Sequence, residues 1–212
     1  MNRRHAMRAA LAGGALFATG TAAQANWFTR MLGFGGDGFD QCRGSVVAGG
    51  AGDIGGPFEL VNTEGETVTD ADVLTKPSLV YFGYTFCPDV CPLDVARNAQ
   101  AVDLLAERGV DVQPVFISVD PNRDTPEVLA DFAANMHEDM VALTGSEAQV
   151  KAASDAYRTY FSIRDSGDEY YLVDHSTFTY LMLPGHGFVE FFRREASPEE
   201  MADKVACFVE AS

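Results

Sequence analysis

Two stretches of the chain, LVYF at 79–82 and VQPVFISV at 112–119, are apolar at consecutive positions rather than at alternate ones. A strand with one wet face alternates, so an unbroken run marks a strand buried on both sides, in a sheet with helices over each face. Between the two runs, Leu93, Ala96, Val102, Leu105 and Ala106 fall on one side of a helix that stops before Gly109. Thr125 followed by Pro126 reads as an N-cap and first-turn proline, opening a helix that runs to about Met136. The spacing predicts a helix from Ser146 to Tyr160, a strand TFTYLML at 177–183, and a turn GHG leading into FVEFF at 188–192. Ser197 with Glu200 makes a capping box for a last helix. Upstream, FELV (58–61) and ETV (66–68) flank the turn NTEG and predict a short edge hairpin, while Val141–Leu143 is a strand of minimal length. The fold class is therefore α/β: a thioredoxin-like order of elements, with a mixed central sheet flanked by helices and an N-terminal hairpin extension.

The termini are of another character. Arg3, Arg4 and Arg8, the weakly apolar AALAGGALFATGTAA and the A-x-A of Ala23–Ala25 make residues 1–25 an export signal, with an uncleaved anchor as the alternative for the same segment. The Arg3–Arg4 pair points to a twin-arginine route. Residues 26–56 form a tether, since 33–56 hold ten glycines, and residues 57–212 are the folded domain. Cleavage takes three arginines and no acid, so 15 basic residues fall to 12 against 31 acidic, and the formal charge moves from −16 to about −19. Such a surface repels phosphate backbones and argues against nucleic acid as a partner.

Export changes what four cysteines mean, because an oxidising compartment lets thiols pair. Cys42 stands just before the domain and Cys207 in its last helix; a structural bridge between them would leave Cys87 and Cys91 as a working pair, one of three pairings open to the sequence. That second pair sits in GYTFCPDVCP (83–92), the turn between the first buried strand and its helix, at the carboxyl end of the sheet where open α/β folds place their sites. Two prolines make a helix through the whole motif awkward, so Pro92 is expected at the first helical position, with Cys91 as the N-cap and Cys87 in the loop. Both sulfurs then lie by the positive end of a helix, which favours thiolate and with it metal binding and disulfide exchange. Four residues span ~6 Å in helical form, short enough for a disulfide or for one shared ion. Two thiolates call for a soft ion, and an imidazole would complete a set suited to copper. Of the histidines after the signal, His137 lies at a helix end amid acids and His186 in a glycine turn, both readable as solvated; His175, at a loop entry before a strand, reads alone as structural.

GYTFCPDVCP, FISVDPNRDTPE (116–127), ALTGS (142–146) and YLVDHST (171–177) occur in an order and at spacings that resemble the Sco/SenC family, thioredoxin-like copper-binding proteins that assist cytochrome c oxidase assembly. The resemblance covers roughly residues 57–210. It implies a copper ion held by Cys87, Cys91 and His175 and delivery to an oxidase subunit carrying the binuclear CuA site; the aspartate before the histidine is Asp174, which either orients the imidazole from behind or accepts from a nearby backbone N–H. It also implies a periplasmic protein, tethered or free, that meets an upstream copper donor or a thioredoxin-like reductant. The alternative function is a thiol-disulfide oxidoreductase in which Cys87 and Cys91 reduce the cysteines of the oxidase copper site. Asp89 reads as a turn former or docking charge, and Asp120, Arg123 and Asp124 as loop and cap architecture.

Overall fold

The computed structural model describes residues 38–44, 54–164 and 170–212. The apolar runs form β3 (Ser78–Gly83) and β4 (Gln113–Ser118), which pair in parallel with Leu79 opposite Pro114 and Phe82 opposite Ile117. Around them the chain runs β1 (Glu59–Val61), β2 (Thr67–Thr69), α1 (Asp70–Val73), then β3, α2 (Val90–Glu107) and β4. It continues through α3 (Pro126–Met136), β5 (Val141–Leu143), α4 (Glu147–Ala156), β6 (Phe161–Arg164), β7 (Leu172–His175), β8 (Thr179–Leu183), β9 (Gly187–Phe192) and α5 (Pro198–Ala211). The central sheet has the order β5-β4-β3-β8-β9, with β3, β4 and β5 parallel and β8 and β9 antiparallel to their neighbours. It is the mixed sheet of a thioredoxin-like fold, as expected.

Both faces are covered, which is why the central strands carry no polar alternation. On one, Leu79, Leu181 and Leu183 pack with Val102 and Leu105 of α2 and with Met201, Val205 and Phe208 of α5. On the other, Val80, Phe82 and Tyr180 pack with Leu129 of α3 and with Val150 and Ala153 of α4. The N-terminal hairpin forms as β1 against β2. Its turn is closed by Asn62, whose side-chain oxygen accepts from the N–H groups of Glu64 (3.1 Å) and Glu66 (2.8 Å), and Gly65 supplies the positive φ of 80°.

Cys42 and Cys207 form a disulfide with Cα atoms 5.7 Å apart. Phe39, 1% exposed, packs its ring on Phe208 at 5.3 Å. Part of the stretch expected as a free tether is therefore strapped onto α5. The export signal at 1–25 lies outside the described residues, as do 26–37, 45–53 and 165–169. Among the described residues no helix is long and apolar enough to cross a membrane.

Two elements were absent from the expectations: the single turn α1 and the hairpin of β6 and β7. The second matters, because its last residue is His175. It pairs β6 with β7 alone, apart from the central sheet, with Phe161 opposite His175.

Candidate metal centre

β3 ends at Gly83, and the chain turns through Tyr84–Asp89 into α2. The helix starts two residues earlier than the prolines suggested, at Val90, so Pro92 is its third residue. The first four N–H groups of a helix have no intrahelical acceptor, and a proline there sacrifices nothing. Cys91 is thus inside the first turn. The capping role passes to the other cysteine: Asp89 makes no side-chain cap bond, while Cys87 Sγ accepts from the Cys91 N–H at 3.4 Å. Burial opposes ionisation of Cys87, but the backbone N–H groups of Cys91, Asp89 and Val90 outweigh it and hold the thiol below its ordinary range. Cys91, fully buried, is pushed up by burial and by the Cys87 sulfur beside it.

The hairpin brings His175 to this pair. Its Nε2 lies 3.1 Å from Cys91 Sγ. Its Nδ1 stands 2.9 Å from the Ser176 carbonyl, which can only accept, so Nδ1 carries the proton and Nε2 presents a lone pair to the sulfurs. Burial holds the imidazole below its ordinary range, against the pull of the Ser176 carbonyl, and the ring is neutral at neutral pH. Tyr84 and Tyr81 stand edge-on to it at 5.8 and 6.2 Å. The sulfurs of Cys87 and Cys91 and one His175 nitrogen all lie within 4.8 Å of one another, close enough for one ion to be shared among them with a small movement of the loop or the hairpin. Cys87 and Cys91 are free thiols.

The structure gives Asp174 a different partner from the imidazole. Successive residues of a strand point to opposite faces, so with His175 turned inward the Asp174 carboxylate, half exposed, pairs with Arg164 across the hairpin. The orienting contact belongs to Ser176. His137 pairs with Asp103 (3.4 Å) and His186 rests its ring on Phe39 (5.2 Å), so neither joins the site. Asp124, fully buried, accepts from the Thr85 N–H (3.0 Å), the Thr85 hydroxyl (2.6 Å) and the Ser118 hydroxyl (2.6 Å), tying the cysteine loop to the end of β4. One turn past Cys91, buried Asp94 accepts from the Tyr81 hydroxyl at 3.0 Å and pairs with Arg97 at 3.3 Å. Tyr84 and Thr85 lie inside GYTFCPDVCP, Tyr81 in the LVYF run before it and Asp94 just past it, and that placement was the one signal they carried.

Gly83 is needed for its lack of a side chain. A Cβ there would lie 2.8 Å from the Tyr81 ring, 3.0 Å from the Phe116 ring and 3.2 Å from Cys91 Sγ. Gly83→Ala is expected to cost about 1–3 kcal/mol, as overpacking does. Denaturant unfolding reads the loss, and an unchanged midpoint contradicts it.

The SCO1/SenC family model matches residues 47–210. Protein SenC of Rhodobacter capsulatus is 59% identical over 175 residues, 82% of this chain and 79% of that protein. Arabidopsis thaliana ScoI, solved with copper bound, superposes with a TM-score of 0.71 at 40% identity, covering 74% of this chain and 99% of that one. Yeast Sco1 with copper bound gives 0.69 at 37% identity, over 76% of this chain and 90% of that one. With the fold, the CxxxC turn at the end of β3 and the histidine of the late hairpin all in place, the chain belongs to the SCO1/SenC family.

Proposed function

We propose that this chain is a copper metallochaperone: reduced Cys87 and Cys91, with His175, take one copper ion and pass it to the CuA site of a cytochrome c oxidase subunit. The observation that carries this reading is the convergence of two sulfurs and an imidazole nitrogen within 4.8 Å. The donor set is soft, with no carboxylate in it, and suits copper over magnesium or calcium. Cys87 is held below its ordinary range and the Nε2 lone pair of His175 needs no deprotonation, so the proton that chiefly opposes loading is that of buried Cys91. Delivery proceeds by ligand exchange, the acceptor's thiolates replacing the donor's one at a time. Oxidation of Cys87 and Cys91 to a disulfide withdraws both anionic donors together, which makes loading dependent on a thioredoxin-like reductant as well as on an upstream copper donor. The place of action is the periplasm, reached through residues 1–25; the Cys42–Cys207 disulfide supports an oxidising compartment.

One observation favours a second reading, a thiol-disulfide oxidoreductase. Cys87 has the lowered pKa and 9% exposure of an attacking thiolate, and Cys91, 0% exposed, has the raised pKa of a resolving thiol. In that reaction Cys87 attacks an acceptor disulfide, and Cys91 displaces the mixed disulfide after losing its proton. The acceptor leaves as a dithiol, and the chain becomes the disulfide.

Mixing copper-loaded protein with a copper-free, reduced CuA-bearing fragment separates the two. The chaperone reading expects copper to leave the donor and appear in the fragment, counted in each protein after separation, while the total thiol count of both proteins changes only by what the copper binds. With a copper-free, oxidised fragment, stoichiometric appearance of its thiols and disappearance of two thiols here, equally fast in His175→Ala, would favour the reductase. Copper that stays on the donor would contradict delivery.

A further inference from the structure

The three candidate donors come from two pieces of chain, and Cys91 and His175 are 84 residues apart. The piece that carries His175 is weakly held by its own sheet. β6 and β7 pair only with each other, and within these two strands Val173 alone is buried. The base of the hairpin is closed by the Ser176 N–H on the Tyr160 carbonyl (2.8 Å) and the Tyr160 N–H on the Ser176 hydroxyl (3.0 Å). Neither bond reaches the cysteine loop.

A residue from a third segment does. Arg123 lies between β4 and α3, its Nε donating to the carboxylate of Asp120, which is fully buried. The Tyr171 hydroxyl donates to the other oxygen of Asp120 at 2.6 Å, and Arg123 Nη1 donates to the Tyr171 carbonyl at 2.9 Å. The guanidinium carbon stands 3.6 Å from the centre of the Tyr171 ring, 5.0 Å from Phe86 and 5.7 Å from Tyr84. Phe86 immediately precedes Cys87, Tyr84 touches the His175 ring, and Tyr171 enters the strand that ends in His175. One planar cation therefore bonds and stacks against both donor-bearing segments at once, with a buried carboxylate to hold it.

We propose that Arg123 is a positioning residue for the metal centre: it braces the His175 hairpin against the cysteine loop, so that the imidazole stands beside Cys91 before an ion arrives. The proposal rests on the reading of Cys87, Cys91 and His175 as the donor set, and extends it to a group that touches none of the donors through a bond of its own. Such outer partners alter metal affinity by about 10- to 100-fold when removed. Lysine cannot substitute: a point charge on a flexible stem cannot reach the Asp120 carboxylate and the Tyr171 carbonyl together while stacking on the ring.

The test is an anaerobic copper(I) competition titration of the reduced full chain against a chromophoric chelator, with wild type, Arg123→Met, Arg123→Lys, His175→Ala and the double variant Arg123→Met/His175→Ala. The expected result is a loss of about 10- to 100-fold in both Arg123 variants, and no further loss when Arg123→Met is added to His175→Ala. In the copper-free protein, the imidazole nitrogen resonances of His175 should shift or broaden in Arg123→Met, a change that a remote loss of stability would not produce. Wild-type affinity in Arg123→Met, or losses that multiply in the double variant, would overturn the proposal. Wild-type affinity in His175→Ala would instead overturn the donor assignment on which it rests. Should Arg123→Met fail to fold, Tyr171→Leu, which removes the stacked ring and the hydroxyl on Asp120, carries the same cycle with the same expected and overturning results.

Discussion

Replacing His175 with alanine, or Cys87 or Cys91 with serine, is expected to weaken copper binding to the reduced protein by about 100- to 1,000-fold. The magnitude is scaled from structural zinc sites, where ~10–16 kcal/mol of metal binding spread over four protein ligands is about 2.5–4 kcal/mol for each, and every 1.4 kcal/mol is about tenfold. The cysteine variants should lie at the upper end, because a thiolate brings charge as well as a soft donor and serine stays protonated at neutral pH. His175→Ala should lie at the lower end and leave the redox chemistry of the pair mostly intact, since the imidazole carries none of the electrons. Competition against a chelator of known affinity gives the numbers. Equal affinity in all four proteins would show that copper binds elsewhere.

The second large effect is on stability. The Cys42–Cys207 disulfide closes a loop with a sequence separation of 165 residues, for which the chain-entropy account gives about 5 kcal/mol. Cys42→Ser/Cys207→Ser should therefore lose about 2–5 kcal/mol, the range for native disulfides, and melt lower by roughly 5–20 °C. Phe39 adds to the loss, because its ring stays against Phe208 only while the strap is pinned. Neither cysteine belongs to the candidate donor set, so copper stoichiometry should not change. A double variant that melts with the wild type would mean that strap and α5 hold together without the bond.

What could be read in the chain beforehand divides along physical lines. β3, β4 and β8 were legible because strands covered on both faces leave an uninterrupted apolar run, and α3 and α5 because Thr125 and Ser197 announce their starts. The disulfide could be posed as a pairing, but nothing in the residues around Cys42 distinguished a packed strap from a tether. The start of α2 was misplaced by two residues because proline within the first turn has no penalty to betray it. The hairpin of β6 and β7 was invisible for a different reason: its strands are four residues each and half exposed, FSIR alternating over too short a run to mark a sheet face and LVDH not alternating at all. With the hairpin went the geometry of His175, which only a motif resemblance could assign to the site, and the facing of Asp174, which depends on register. Arg123 read as loop architecture because its role depends on three segments meeting.

The most direct measurement of the central claim is X-ray absorption at the copper edge of the reduced, copper-loaded protein, with copper quantified per chain. One copper per chain with two sulfur neighbours and one imidazole nitrogen is the predicted result, the sulfur shell disappearing in Cys87→Ser/Cys91→Ser and the imidazole signature in His175→Ala. A coordination shell without sulfur, or one left unchanged by those substitutions, would contradict it.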